Sequence, residues 1–206
     1  MSRTRVKICG ITRAQDLRAA VAAGADALGF VFAARSPRRL GTTQAAELVA
    51  EVPAFVSRVG LFLDQEPAEV RSVLAEVRLE LLQFHGREPA DYCRQFGLPY
   101  IKAVAMAPGV DLAAVEQEFN DAAALLLDSH QAGEIGGTGR PFDWSLVRTV
   151  HLPLVLAGGL DAGNVAAAVR QVRPWAVDVS SGVEDAPGVK NAARIEQFIN
   201  EVNREN

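Results

Sequence analysis

Eight short apolar runs recur along this chain at nearly even intervals: Arg5–Cys9, Ala27–Phe32, Phe55–Leu63, Leu79–Phe84, Tyr100–Met106, Ala123–Asp128, Leu154–Ala157 and Trp175–Ser180. Their ends fall 21 to 31 residues apart. A strand of about five residues, a helix of about eleven and two short loops nearly fill such an interval. Between the runs, apolar residues return at helical spacing: Leu17, Ala20, Val21 and Gly24; Val70, Val73, Leu74 and Val77; Val165, Ala168, Val169 and Val172; Ile195, Phe198, Ile199 and Val202. Each set forms one stripe on a helix. Less regular helices are expected near 44–51, 89–96, 111–119 and 143–150. Strand and helix alternating eight times predict parallel βαβ units in an α/β fold. Residues 1–206 are expected to form a single-domain (β/α)8 TIM barrel, shorter than the ~250 residues usual for it. A doubly wound open sheet is the rival that periodicity does not exclude.

Composition narrows the function. Twenty-five acidic residues against 21 basic ones give a net charge of −4, with 49% hydrophobic and 22% charged residues. That excludes a disordered chain and gives no support to nucleic-acid binding through bulk positive charge. No apolar run reaches the ~18 residues of a membrane-spanning helix, and MSRTRVKICG lacks the apolar core of a signal peptide. Two cysteines, Cys9 and Cys93, make no disulfide framework. A cytoplasmic protein without nucleic-acid or membrane partners is expected, as a monomer or a homodimer.

The catalytic face of such a barrel lies at the C-terminal ends of its strands. Alternation in the first run sends Val6 and Ile8 toward helices, and Lys7 and Cys9 inward. Cys9 then stands at the rim, either a small buried hydrophobe or a thiol drawn toward thiolate by Lys7. Asp128 ends the sixth run too far from the helix expected at Asp143 to cap it, and apolar walls would keep it protonated. The two offer one base and one acid across the mouth. Gly158 and Gly159 follow the seventh run, and Ser180, Ser181 and Gly182 the eighth. Backbone N–H groups and hydroxyls there suit a phosphate. Arg38, in the loop after the second run, can clamp a substrate carboxylate or be a surface charge. Gln83 and His85 either floor the pocket or serve packing. Asp178 is inward on the eighth strand, among the candidate substrate-binding residues. Since that strand closes against the first, it is expected to pair with Lys7. The glycine-rich stretch Ser129–Pro141 is a candidate lid. No metal-ligand spacing and no dinucleotide fingerprint is present.

VKICGIT, DALGFVF, SPRR, QFHG, LLLDS, GGTGRPFDW, LAGGL and AVDVSSGVE run from the first strand to the last. Together they resemble the phosphoribosylanthranilate isomerase family of tryptophan biosynthesis. The resemblance implies an Amadori rearrangement of N-(5-phosphoribosyl)anthranilate without metal or organic cofactor. It implies that the cysteine of KICG, Cys9, is the general base and the aspartate of LLLD, Asp128, the general acid. The related sugar isomerase of histidine biosynthesis resembles a two-aspartate design, which Cys9 argues against. A non-catalytic phosphate-binding barrel would need no such pair.

Overall fold

In the computed structural model, which describes residues 3–129 and 141–206, the eight runs close into a parallel barrel. The order is β1 (Arg5–Cys9), α1 (Ala14–Ala23), β2 (Ala27–Val31), α2 (Thr42–Ala50), β3 (Ser57–Phe62), α3 (Pro67–Glu76), β4 (Leu81–Phe84) and α4 (Ala90–Arg94). There follow β5 (Tyr100–Ala105), α5 (Leu112–Glu118), β6 (Ala124–Asp128), β7 (Leu154–Leu156), α6 (Val165–Val172), β8 (Ala176–Val179), β9 (Glu184–Ala186), β10 (Val189–Lys190) and α7 (Ala192–Asn203). Each of the first eight strands pairs with the next, and β8 returns to β1 with Lys7 opposite Asp178. The open-sheet alternative is thereby excluded.

Two-residue alternation sorts the strands into two environments. Val6, Ile8, Leu28, Phe30 and Val177 join Leu17 of α1 and Phe198 of α7 in the layer between strands and helices. Ile101, Ala124, Leu126, Val155 and Ala176 fill the barrel interior instead. Phe30, Phe62, Phe84 and Phe198 are among the largest fully buried side chains, each contributing roughly 1.5–3 kcal/mol by leaving water. Helix starts follow local chemistry: Pro67 opens α3, and the Asp111 carboxylate accepts from the N–H groups of Ala113 and Ala114 at the start of α5.

Two features differ from the expected pattern. The helix expected over 143–150 is absent; a 3-10 turn, Trp144–Leu146, stands there, with the Asp143 side chain accepting from Ser145 N–H. Val147 leaves it in extended geometry. Val147, Thr149 and Val150 are β-branched and favour extended backbone, and their apolar neighbours reach the core without helical spacing. The described residues thus contain seven α-helices for eight barrel strands. After β8 a small antiparallel hairpin, β9–β10, was not foreseen. Buried Asp16 of α1 fixes it by accepting from Lys190 N–H at 3.0 Å, while Arg13 binds both Asp16 and the Lys190 carbonyl. Among the described residues no helix is long and apolar enough to cross a membrane.

Candidate active site

The strands' C-terminal ends surround one cavity, and it gathers Cys9, Arg38, Asp128, Gly158, Gly159, Asp178, Ser180 and Ser181. Gly182 stands behind them in the 3-10 turn Ser181–Val183. The stretch 130–140, with most of the candidate lid and of GGTGRPFDW, lies outside the described residues.

On β1, the register sets Cys9 opposite Gly29. A Cβ at Gly29 would lie 2.7 Å from the Cys9 sulfur and 3.1 Å from Lys7 Nζ, so the missing side chain makes room for both. Lys7 Nζ donates to both Asp178 oxygens at 3.0 Å, which bears out the expected pair. Burial alone would discharge Lys7; Asp178, with help from Cys9, more than reverses this and holds its pKa above the ordinary lysine value. The expectation for Cys9 is corrected. Burial raises its pKa, and the ammonium groups of Lys7 and Lys190 only partly oppose the rise. Asp178, beside Lys7, adds to the rise. In the ligand-free site burial thus outweighs the two ammonium groups.

Across the mouth, Asp128 ends β6 as a buried carboxyl that accepts from Ser129 N–H at 2.6 Å. The chain passes close behind it: at Gly158, φ is +80° and a Cβ would come within 2.8 Å of Asp128 Oδ1 and 2.5 Å of Ser129 N. Both observations require glycine there. His85 faces the carboxyl with Nε2 3.6 Å from Asp128 Oδ2, and its Nδ1 is 3.0 Å from Gln83 Nε2. His85 is thus part of the pocket.

Arg38 is held differently from expectation. Its Nε and Nη2 donate to the two oxygens of Glu184 at 2.8 and 2.6 Å. Lys190 Nζ donates to Glu184 Oε1 at 2.8 Å and to the Ser180 carbonyl at 3.0 Å. Burial works against Glu184's charge, but Arg38 and Lys190 prevail and hold its carboxyl below the usual range. Burial lowers Lys190 despite Glu184. Neither Glu184 nor Lys190 was singled out from sequence. Glu184 closes the motif AVDVSSGVE and was within reach; Lys190, on a two-residue strand, has no local signal.

The remaining wall is backbone. Among the described residues, the N–H groups of Gly159, Ser181 and Gly182 donate to no protein acceptor. Such donors, close together between the β7 and β8 ends, can bind an anion. The arrangement therefore offers an anion cup, a bound arginine, a thiol with ammonium neighbours and a carboxyl facing it. Proton transfer on an anionic small molecule is the chemistry these parts can perform.

Comparison with known proteins converges on one family. The family model described as N-(5'phosphoribosyl)anthranilate (PRA) isomerase matches residues 6–201. An N-(5'-phosphoribosyl)anthranilate isomerase of Pseudomonas putida is 53% identical over 204 residues, covering 98% of each chain. The phosphoribosyl anthranilate isomerase structure from Thermus thermophilus superposes with a TM-score of 0.88 at 37% identity, over 98% of this chain and 100% of that one. A second isomerase structure holds reduced 1-(o-carboxyphenylamino)-1-deoxyribulose 5-phosphate; it has a TM-score of 0.80 and 37% identity, over 98% and 99% of the two chains. A third, from Thermotoga maritima, concerns monomers generated from a dimeric enzyme, with a TM-score of 0.84 and 38% identity over 98% and 99%.

Proposed function

Since the chain belongs to the N-(5'-phosphoribosyl)anthranilate isomerase family and catalyses the Amadori rearrangement of that substrate in tryptophan biosynthesis, we propose that Cys9 is its general base and Asp128 its general acid. The observation that carries this reading is their position on opposite walls of one cavity, β1 and β6. Asp128 gives its proton to the furanose ring oxygen as the C1'–O bond breaks, and the substrate nitrogen's lone pair forms the iminium. The new positive charge acidifies C2'–H. Cys9, as thiolate, takes that proton, and the C2' electrons return to nitrogen as an enolamine. Tautomerisation gives 1-(2-carboxyphenylamino)-1-deoxyribulose 5-phosphate. No net electron leaves the substrate, so its own nitrogen serves as the sink. His85, beside Asp128, orients the acid.

The phosphate binds on the N–H groups of Gly159, Ser181 and Gly182, with Gly158 and Ser180 shaping the cup. Asp178 keeps Lys7 inside and borders the sugar. The anthranilate carboxylate lies toward Arg38. Turnover of phosphoribosylanthranilate by Cys9→Ala and Asp128→Asn tests the assignment. Both should lose about 10²–10⁴-fold in kcat while still binding a product analogue. Near-normal turnover in Cys9→Ala would remove it as the base.

Barrel strands drawn from Arg5 to Val179 support one domain over residues 1–206, and two free cysteines support a reducing, cytoplasmic setting. Of monomer and homodimer, the homodimer is favoured. Phe55, before β3, and Trp175, before β8, present large apolar side chains at the N-terminal end of the barrel, away from the site. Sedimentation of wild type against Phe55→Ser separates the two states.

A further inference from the structure

We propose that Glu184 is a positioning residue for substrate recognition: it holds the Arg38 guanidinium so that its remaining edge receives the anthranilate carboxylate. The proposal rests on the reading of Arg38 as the carboxylate anchor. Glu184 does not border the cavity, whereas Arg38 does. Any effect of Glu184 on the substrate therefore passes through Arg38. Its carboxylate accepts four hydrogen bonds, from Arg38 Nε and Nη2, from Lys190 Nζ and from Gly188 N–H at 3.1 Å. A carboxylate so held is a fixed platform. It engages one edge of the fork, and Nη1 takes no part in the pair.

Charge accounting gives the platform its second property. Glu184 stands between two cations, Arg38 and Lys190, so the buried trio carries one surplus positive charge. One ligand carboxylate neutralises it. Arg38 paired with Glu184 alone would be neutral and would meet a further carboxylate without net attraction. The trio also spans the site: Glu184 follows the turn Ser181–Val183 of the anion cup, and Arg38 comes from the loop after β2. The two ends of an elongated dianionic substrate are thereby set at a fixed separation.

The experiment measures binding of two probes by calorimetry. One is the reduced product analogue bearing the o-carboxyphenyl group; the other is ribose 5-phosphate, which lacks it. Variants are Arg38→Ala, Glu184→Gln, Glu184→Asp and the double Arg38→Ala/Glu184→Gln. Glu184→Gln should weaken the analogue about 10-fold or more while ribose 5-phosphate changes less than about 2-fold, and KM should rise more than kcat falls. Glu184→Asp, which keeps the charges balanced and guards against misfolding, should weaken the analogue selectively with unchanged Tm. The double variant should bind the analogue no more weakly than Arg38→Ala alone. Equal loss of both probes in either Glu184 variant, additive loss in the double, or tighter analogue binding would overturn the positioning role. If Arg38→Ala itself weakens both probes equally, the anchor reading fails, and this proposal with it. Selective loss in Arg38→Ala without selective loss in Glu184→Gln defeats the proposal alone.

Discussion

The two cysteines occupy regions that look alike by burial and differ in charge. Cys93, on α4, is fully buried, and burial pushes its thiol up to about 12, with Lys102 opposing and Glu88 adding to the rise. Cys9 is nearly as buried and is raised as well, yet two ammonium groups, Lys7 and Lys190, pull against that rise, and its sulfur borders a cavity. Burial by itself makes a thiol inert. What sets the Cys9 region apart is that two ammonium groups oppose the effect of burial at a sulfur that opens onto the cavity. The Lys102–Glu88 pair near Cys93 serves a different end. Glu88 accepts from the N–H groups of Asp64 and Gly86 and from Lys102, tying together the loops after β3 and β4.

This contrast can be broken most directly by exchanging the sulfurs. Cys9→Ala should cost about 10²-fold or more in turnover, whereas Cys93→Ala should leave kcat within about 2-fold; comparable losses would mean that thiol burial, not chemistry, is being measured. Lys7→Met comes next. It strands Asp178 and should destabilise the fold by about 3–5 kcal/mol in denaturant melts, with slower alkylation of whatever Cys9 remains folded. Alkylation of wild type by a small reagent should proceed at least about 10-fold faster at Cys9 than at Cys93 by mass spectrometry, with the product analogue protecting Cys9 alone. The pH profile sharpens the point further. Because Cys9 is raised above the ordinary thiol value, the free enzyme holds little thiolate at neutral pH, so kcat/KM should climb between about pH 7 and about pH 9. A flat profile there would contradict a raised Cys9. The smallest effect concerns Glu184. Its pKa is lowered, so its stabilising contribution is present above the unfolded value of about 4.3 and is lost as pH falls through the folded value. The Tm gap between wild type and Glu184→Gln should therefore narrow in acid.

How much of this was readable in advance depended on periodicity. The barrel was legible because a strand repeats every two residues and a helix every 3.6. Lys7 and Asp178 were legible together because each is the polar inward residue of its strand, and closure makes those strands neighbours. The segment after β6 misled because its place between two strands called for a helix, which Val147, Thr149 and Val150 resist. Glu184 and Lys190 were missed because a hairpin of three and two residues has no period to detect. The direction of Cys9 was misjudged because Lys7 is visible in sequence as a neighbour, whereas the burial that outweighs its pull is set by the packing of the whole rim.

The seam between β1 and β8 has a consequence for biosynthesis. Lys7 is made well before its counter-ion, which lies 171 positions later. Until the last strand docks, an inward-facing ammonium has no carboxylate, and a partly assembled barrel must either leave it hydrated or bear its desolvation. An incomplete nascent chain thus gains little by collapsing early around its first strands. The late-arriving Asp178 closes the ring and neutralises the charge in one event, which favours all-or-none assembly over a half-built barrel on the ribosome.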